Sequence, residues 1–163
     1  MKKIIIIALV LFIAVAKTNA QNHADSNLTS PVLQSYFNIK NALIAGNSST
    51  ASESATSLVE MLGKFSNTAV SGASLKALMK DAGTIAGSKN LDKQRSSFAN
   101  LSINMAVVVK AAKLAARPVY YAYCPMKKAY WLSSEVEIKN PYYGNAMLTC
   151  GEVVETIPST SNH

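Results

Sequence analysis

The segment Asn90–Ala116, NLDKQRSSFANLSINMAVVVKAAKLAA, decides the fold class of this chain. Leu91, Gln94, Phe98, Leu101, Met105, Val108, Ala112 and Ala115 recur in it at alternating steps of three and four residues. That period places them on one face of an α-helix, the seam by which a helix packs on its neighbours. Asn90 offers a side-chain oxygen to the unpaired N–H groups of the first turn. Arg117-Pro118 sets the stop, because proline disfavours helical backbone in the residue before it. A helix running to about Ala116 is predicted.

Three shorter segments upstream keep the same period. Ser30-Pro31 is an N-cap followed by proline at the first helical position, and Val32, Tyr36, Ile39 and Leu43 follow before Gly46. Asn47-Ser48-Ser49 caps a second helix carrying Ala51, Ala55, Leu58, Leu62 and Phe65. A third opens at Gly72 to Ser74, carries Leu75, Leu78, Ala82 and Ile85, and closes at Gly87. Four amphipathic segments with short connections predict a mainly α chain, an antiparallel four-helix bundle over residues 30–117. Many seam positions are alanine, so the helices should approach closely. Met61, Met79 and Met105 are expected to fill core gaps.

After Pro118 the pattern changes. Val119-Tyr120-Tyr121-Ala122-Tyr123 is β-branched and aromatic, as strands are, and Glu152 to Ile157 is a further short strand. Glu135-Val136-Glu137-Ile138-Lys139 alternates strictly, as a strand or an exposed extended segment does. Asn140-Pro141-Tyr142-Tyr143-Gly144 makes a turn. Residues 118–158 thus form a small C-terminal β/loop module. Six of the seven tyrosines and the single tryptophan lie in it. So few residues of sheet are not stable alone, and the module must pack on the bundle.

Residues 1–20 belong to neither part. Lys2 and Lys3 precede the unbroken apolar run Ile4–Ala16, and Thr18-x-Ala20 follows before Gln21. This is the pattern of a cleaved secretory signal peptide; spanning a bilayer takes about 20 apolar residues. Residues 21–163 then form one domain, periplasmic or secreted, with no membrane segment after cleavage. The three lysines of residues 1–20, with no acid among them, reduce the net charge from +7 to +4 on removal. A mild charge with one basic doublet, Lys127-Lys128, is not a nucleic-acid footprint.

Export places the two cysteines in an oxidising compartment. Each has a methionine close by, in Cys124-Pro125-Met126 and Met147-Leu148-Thr149-Cys150. Thiolate and thioether are soft ligands that favour monovalent copper or silver, so Cys124, Met126, Met147 and Cys150 are candidate metal ligands. A standard zinc site is not indicated, since the only histidines are His23 and His163. A Cys124–Cys150 disulfide is the competing account, adding roughly 3.5 kcal/mol through chain entropy. Spacing alone leaves both open.

Tyr123-Cys124-Pro125-Met126, Trp131-Leu132-Ser133, Ile138-Lys139-Asn140-Pro141-Tyr142-Tyr143-Gly144 and Met147-Leu148-Thr149-Cys150-Gly151 resemble an uncharacterised exported bacterial domain family. Gln94-Arg95 and Phe98-Ala99-x-Leu101-Ser102 extend the likeness upstream. The family occurs alone or fused to the periplasmic adaptor subunit of heavy-metal efflux pumps. Tyr-x-Cys-Pro-Met is also similar to the start of a small heavy-metal-binding module of such pumps, with Lys127 here where that module has histidine. The resemblance implies a periplasmic protein handling Cu(I) or Ag(I), with an efflux adaptor as partner. It implies Cys124, Met126, Met147 and Cys150 as ligands; Tyr123, Trp131, Asn140, Tyr142 and Gly144 would support them, although packing of the module on the bundle and turn formation account for these five more simply. Arg95 has five donors to offer the carbonyls of the C-terminal module, with a solvent-exposed position as the equal alternative.

The alternative is a non-catalytic, disulfide-stapled interaction domain docking an efflux or envelope partner. An aromatic-lined sugar site is a third class. Catalysis is not expected: the chain has no glycine-rich phosphate loop, no nucleophile elbow and no core histidine to activate a nucleophile. Glu135, Glu137, Glu152 and Glu155 fit solvated strand positions better than acid–base pairs.

Overall fold

The computed structural model describes residues 30–160, so the expected signal peptide, His23 and His163 lie outside the described residues. Four helices come first: α1 (Pro31–Ile44), α2 (Ser48–Gly63), α3 (Gly72–Ala86) and α4 (Leu91–Ala111). Three strands follow, β1 (Val119–Cys124), β2 (Ala129–Ser133) and β3 (Glu152–Ile157), with a short 3-10 turn at Gly144–Ala146. The chain is mainly helical with a small C-terminal antiparallel sheet. Among the described residues no helix is long and apolar enough to cross a membrane.

The capping residues act as their chemistry dictates. Asn47, Ser71 and Asn90 each accept the N–H three residues on, at 3.0, 3.1 and 2.9 Å. Ser30 precedes Pro31 at the start of α1 but makes no side-chain cap. Each helix packs chiefly on the next in sequence. Gln94, the polar member of the α4 seam, is fully buried and donates to the carbonyls of Ser48, Ile85 and Ser88. It thereby ties the start of α2 and the end of α3 to α4.

Two expectations need correction. Helix α4 ends at Ala111, five residues early: Lys113 takes a left-handed backbone (φ 53°), and Leu114 N–H reaches back to Val109 O at 3.1 Å. That C-terminal motif satisfies the last carbonyls before proline can act. Ala115 is still buried, but outside the helix, with its carbonyl accepting Thr160 N–H at 2.7 Å. Met61 and Met79 do not fill the core; they are 39% and 36% exposed, and only Met105 of the three is buried. Of the two forms expected for residues 135–139, the chain takes the non-strand one, largely exposed and held by Lys139 against Glu135 and Glu137 at 3.0 and 2.9 Å.

The sheet order is β2-β1-β3, antiparallel throughout, with an irregularity opposite Tyr121/Ala122. A buried α1 tyrosine joins helices to sheet. Tyr36 Oη accepts Leu132 N–H at 3.0 Å and lies 2.7 Å from Ser102 Oγ on α4. Its ring stacks on Phe98 at 5.1 Å.

Lys40 makes a second link. It is buried on α1, donates to Ser133 Oγ at 3.3 Å and lies 5.8 Å from the Phe37 ring. Burial lowers its pKa, opposed by the carboxylate of Glu135. The unfolded lysine therefore holds its proton more firmly than the folded one, and stability rises as pH climbs towards the ordinary value of 10.5. Lys40→Met is expected to stabilise the chain by about 1 kcal/mol at neutral pH and to flatten that slope. Thermal melts of both proteins from neutral pH upward check the sign.

Candidate functional site

Strand pairing builds the site. Cys124 closes β1, and β3 pairs with β1 so that Tyr123 faces Glu152. That register brings Cys150, two residues before β3, beside Cys124. Both are free thiols, with sulfurs 3.9 Å apart. Cys124 is buried and Cys150 is partly exposed.

The β1–β2 turn closes over the pair. Lys127 N–H donates to Cys124 Sγ at 3.4 Å. Lys128 takes the left-handed backbone (φ 53°) that tightens this turn. Burial, followed by the neighbouring Cys124 sulfur, pushes the Cys150 thiol above its ordinary value, and the nearby Met126 backbone opposes the rise.

Asn140 positions the loop that carries Cys150. It is fully buried, and every polar group it owns is used. Its Nδ2 donates to Cys150 O at 2.6 Å and its N–H to Leu148 O at 2.7 Å. Its Oδ1 accepts Tyr142 N–H at 2.8 Å, and its carbonyl accepts Gly144 N–H at 3.0 Å.

Gly151 then has to pass over Trp131. Its φ is +147°, and a Cβ there would lie 2.6 Å from Trp131 Cη2 and 2.9 Å from Tyr123 O. Trp131 is fully buried and meets Tyr142 edge-on at 6.1 Å. The Tyr142 hydroxyl donates to Tyr130 O, and its ring lies 6.0 Å from Phe98 on α4. Burial raises the Tyr142 pKa, so this hydroxyl stays a donor.

The helices hold the same loop from the other side. Arg95 on α4 donates through Nε to Pro141 O at 3.0 Å and through Nη2 to Leu43 O at 3.2 Å. Gly144 sits against this bridge with φ +54°, where a Cβ would come within 2.7 Å of Ile44 O. Gly144→Ala is expected to cost about 3 kcal/mol or more, from left-handed strain plus overlap with a backbone atom that cannot yield. Chemical denaturation with an unchanged m-value measures this directly.

Of the candidate ligands, Cys124 and Cys150 are brought together. Met126 is 62% exposed on the turn, and Met147 is partly buried at the end of the 3-10 turn. Among the described residues no three His, Cys, Asp or Glu side chains converge as a metal would need. Any further ligand at the thiol pair must therefore be thioether, backbone or solvent. The sequence pattern placed Tyr36 on a helix seam and Ser102 in the family likeness but gave neither hydroxyl a bonding role, and it did not single out the Lys127 N–H. Only the burial of a helix tyrosine hydroxyl, which demands a partner, could have pointed to the first two.

The described residues thus form four helices and an appended sheet that carries an apposed thiol pair. The chain belongs to the family described as Protein of unknown function (DUF3347), whose match covers residues 32–116, more than half of the chain. That span covers the helices and ends before β1, so the thiol pair lies outside it. No curated protein and no solved structure matches the chain.

Proposed function

We propose that this protein binds a soft monovalent metal ion, Cu(I) or Ag(I), between Cys124 and Cys150 as exported, non-catalytic cargo. The observation that carries this is the pair of sulfurs at 3.9 Å beneath a turn whose Lys127 N–H donates to Cys124 Sγ. Sulfur donors suit these ions, and the thiols lose their protons as the metal arrives. Met126 and Met147 are the thioethers within the same two loops. Tyr123, Trp131, Asn140, Tyr142, Gly144 and Arg95 keep the loops in place, as supporting groups around metal ligands do.

In this account the helices form an antiparallel bundle that serves as a rigid platform, and the partner is the periplasmic adaptor of a metal efflux pump. Anaerobic titration of the reduced chain with Cu(I), against a competing chelator, tests the proposal. One equivalent should bind tightly; no binding above that of a cysteine-free control protein would sink it.

A second reading has its own support. With no third His, Cys, Asp or Glu converging among the described residues and the Cys150 thiol pushed up, the pair also suits a disulfide staple in an interaction domain. Mass spectrometry of native periplasmic extract, with and without reductant, separates the two. A quantitative Cys124–Cys150 bond that no physiological thiol reduces favours the staple.

A further inference from the structure

We infer that the two sulfurs have unequal roles in thiol–disulfide exchange: an external disulfide enters at Cys150, and Cys124 resolves it. The pair thereby switches between a metal-binding dithiol and a metal-free disulfide. This rests on the soft-metal reading above.

The asymmetry is structural. Cys124 is fully buried at the end of the central strand, beneath the turn whose Lys127 N–H it accepts. Cys150 is partly exposed, on the loop leading into edge strand β3. Attack on an external disulfide needs an approach line to the sulfur, and only Cys150 offers one. Asn140 meanwhile grips the Cys150 carbonyl at 2.6 Å, so the sulfur that has reacted stays beside Cys124. From 3.9 Å the sulfurs must close to about 2.05 Å to bond.

The chemistry balances with a low-molecular-weight disulfide as oxidant. Cys150 thiolate attacks one of its sulfurs, the external S–S bond breaks, and one thiolate leaves with the proton that Cys150 gave up. Cys124, losing its own proton, then attacks Cys150 Sγ. The mixed disulfide breaks, the intramolecular bond forms, and a second thiol departs. The protein dithiol is oxidised by two electrons and one external disulfide becomes two thiols. Neither protein sulfur is then a thiolate, so the soft metal loses both of its anionic ligands.

Glutathione disulfide added to the reduced full chain is the probe. Cys124→Ser should accumulate one glutathione adduct, on Cys150. Cys150→Ser should react at least about tenfold more slowly. The wild type should pass through to the intramolecular disulfide, lose Cu(I) binding and regain it on reduction. Brief alkylation of reduced wild type, mapped by peptide, gives the same order without any variant: Cys150 is labelled before Cys124. Equal or faster reaction at Cys124, arrest of the wild type at the mixed disulfide, or undiminished Cu(I) binding by the oxidised form each overturns the inference. Absence of Cu(I) binding by the reduced chain is a separate result, which removes the soft-metal reading itself.

Discussion

With Cys124 and Cys150 both replaced by serine, the reduced chain is expected to lose Cu(I) affinity by more than about 100-fold, since removal of mere supporting groups around a metal already costs 10–100-fold. Serine keeps the size of cysteine but offers a hard, protonated hydroxyl in place of a thiolate, so the loss reports ligand chemistry rather than packing. The buried position at 124 sets the control. Lys127 N–H can still find an acceptor in the serine hydroxyl, so the fold should persist, and an unchanged circular dichroism spectrum would show it. Met126→Leu and Met147→Leu should each weaken binding by about tenfold at most, because a neutral thioether adds less than a thiolate. Competition titrations on the three proteins rank the sulfurs. Affinity unchanged in the double serine variant would mean that the metal sits elsewhere.

The second large effect lies in Trp131. It is the largest fully buried side chain among the described residues, and Trp131→Ala is expected to cost about 3–5 kcal/mol. The cavity would open beneath Gly151, whose backbone rests on the indole, and beside Tyr142, whose ring meets it edge-on. The damage should therefore reach the site: the 148–151 segment loses its floor, and Cu(I) binding should fall even where the variant remains folded. Trp131→Phe fills part of the space and should recover roughly half of the stability. Denaturant melts give the energy, and a titration below the melting range gives the effect on metal.

These effects show which parts of the molecule are local. The four helices were legible because periodicity and caps are properties of neighbouring residues, and Asn47, Ser71 and Asn90 cap where their side chains permit. Strand β3 runs from Glu152 to Ile157 as its β-branched run predicts. Where several local endings compete, sequence reading is weaker. Pro118 is a stop, but Lys113 turned the chain first by taking a left-handed conformation that few lysines adopt. Met61 and Met79 lie at the edge of the helical face, and a shift of one position decides between core and water.

Helix content, the strand beginning at Val119, the turn at Asn140–Gly144 and the two sulfur-bearing loops were therefore determined by the sequence itself. Each depends on contacts a few residues apart. The meeting of Cys124 with Cys150 was decided by tertiary structure alone. It follows from the β1–β3 register, from Asn140 holding Cys150, and from Gly151 crossing Trp131. Composition and spacing carry no register, because a β ladder can slide by two residues without changing which side chains face the core. The apposed thiols are a product of that choice.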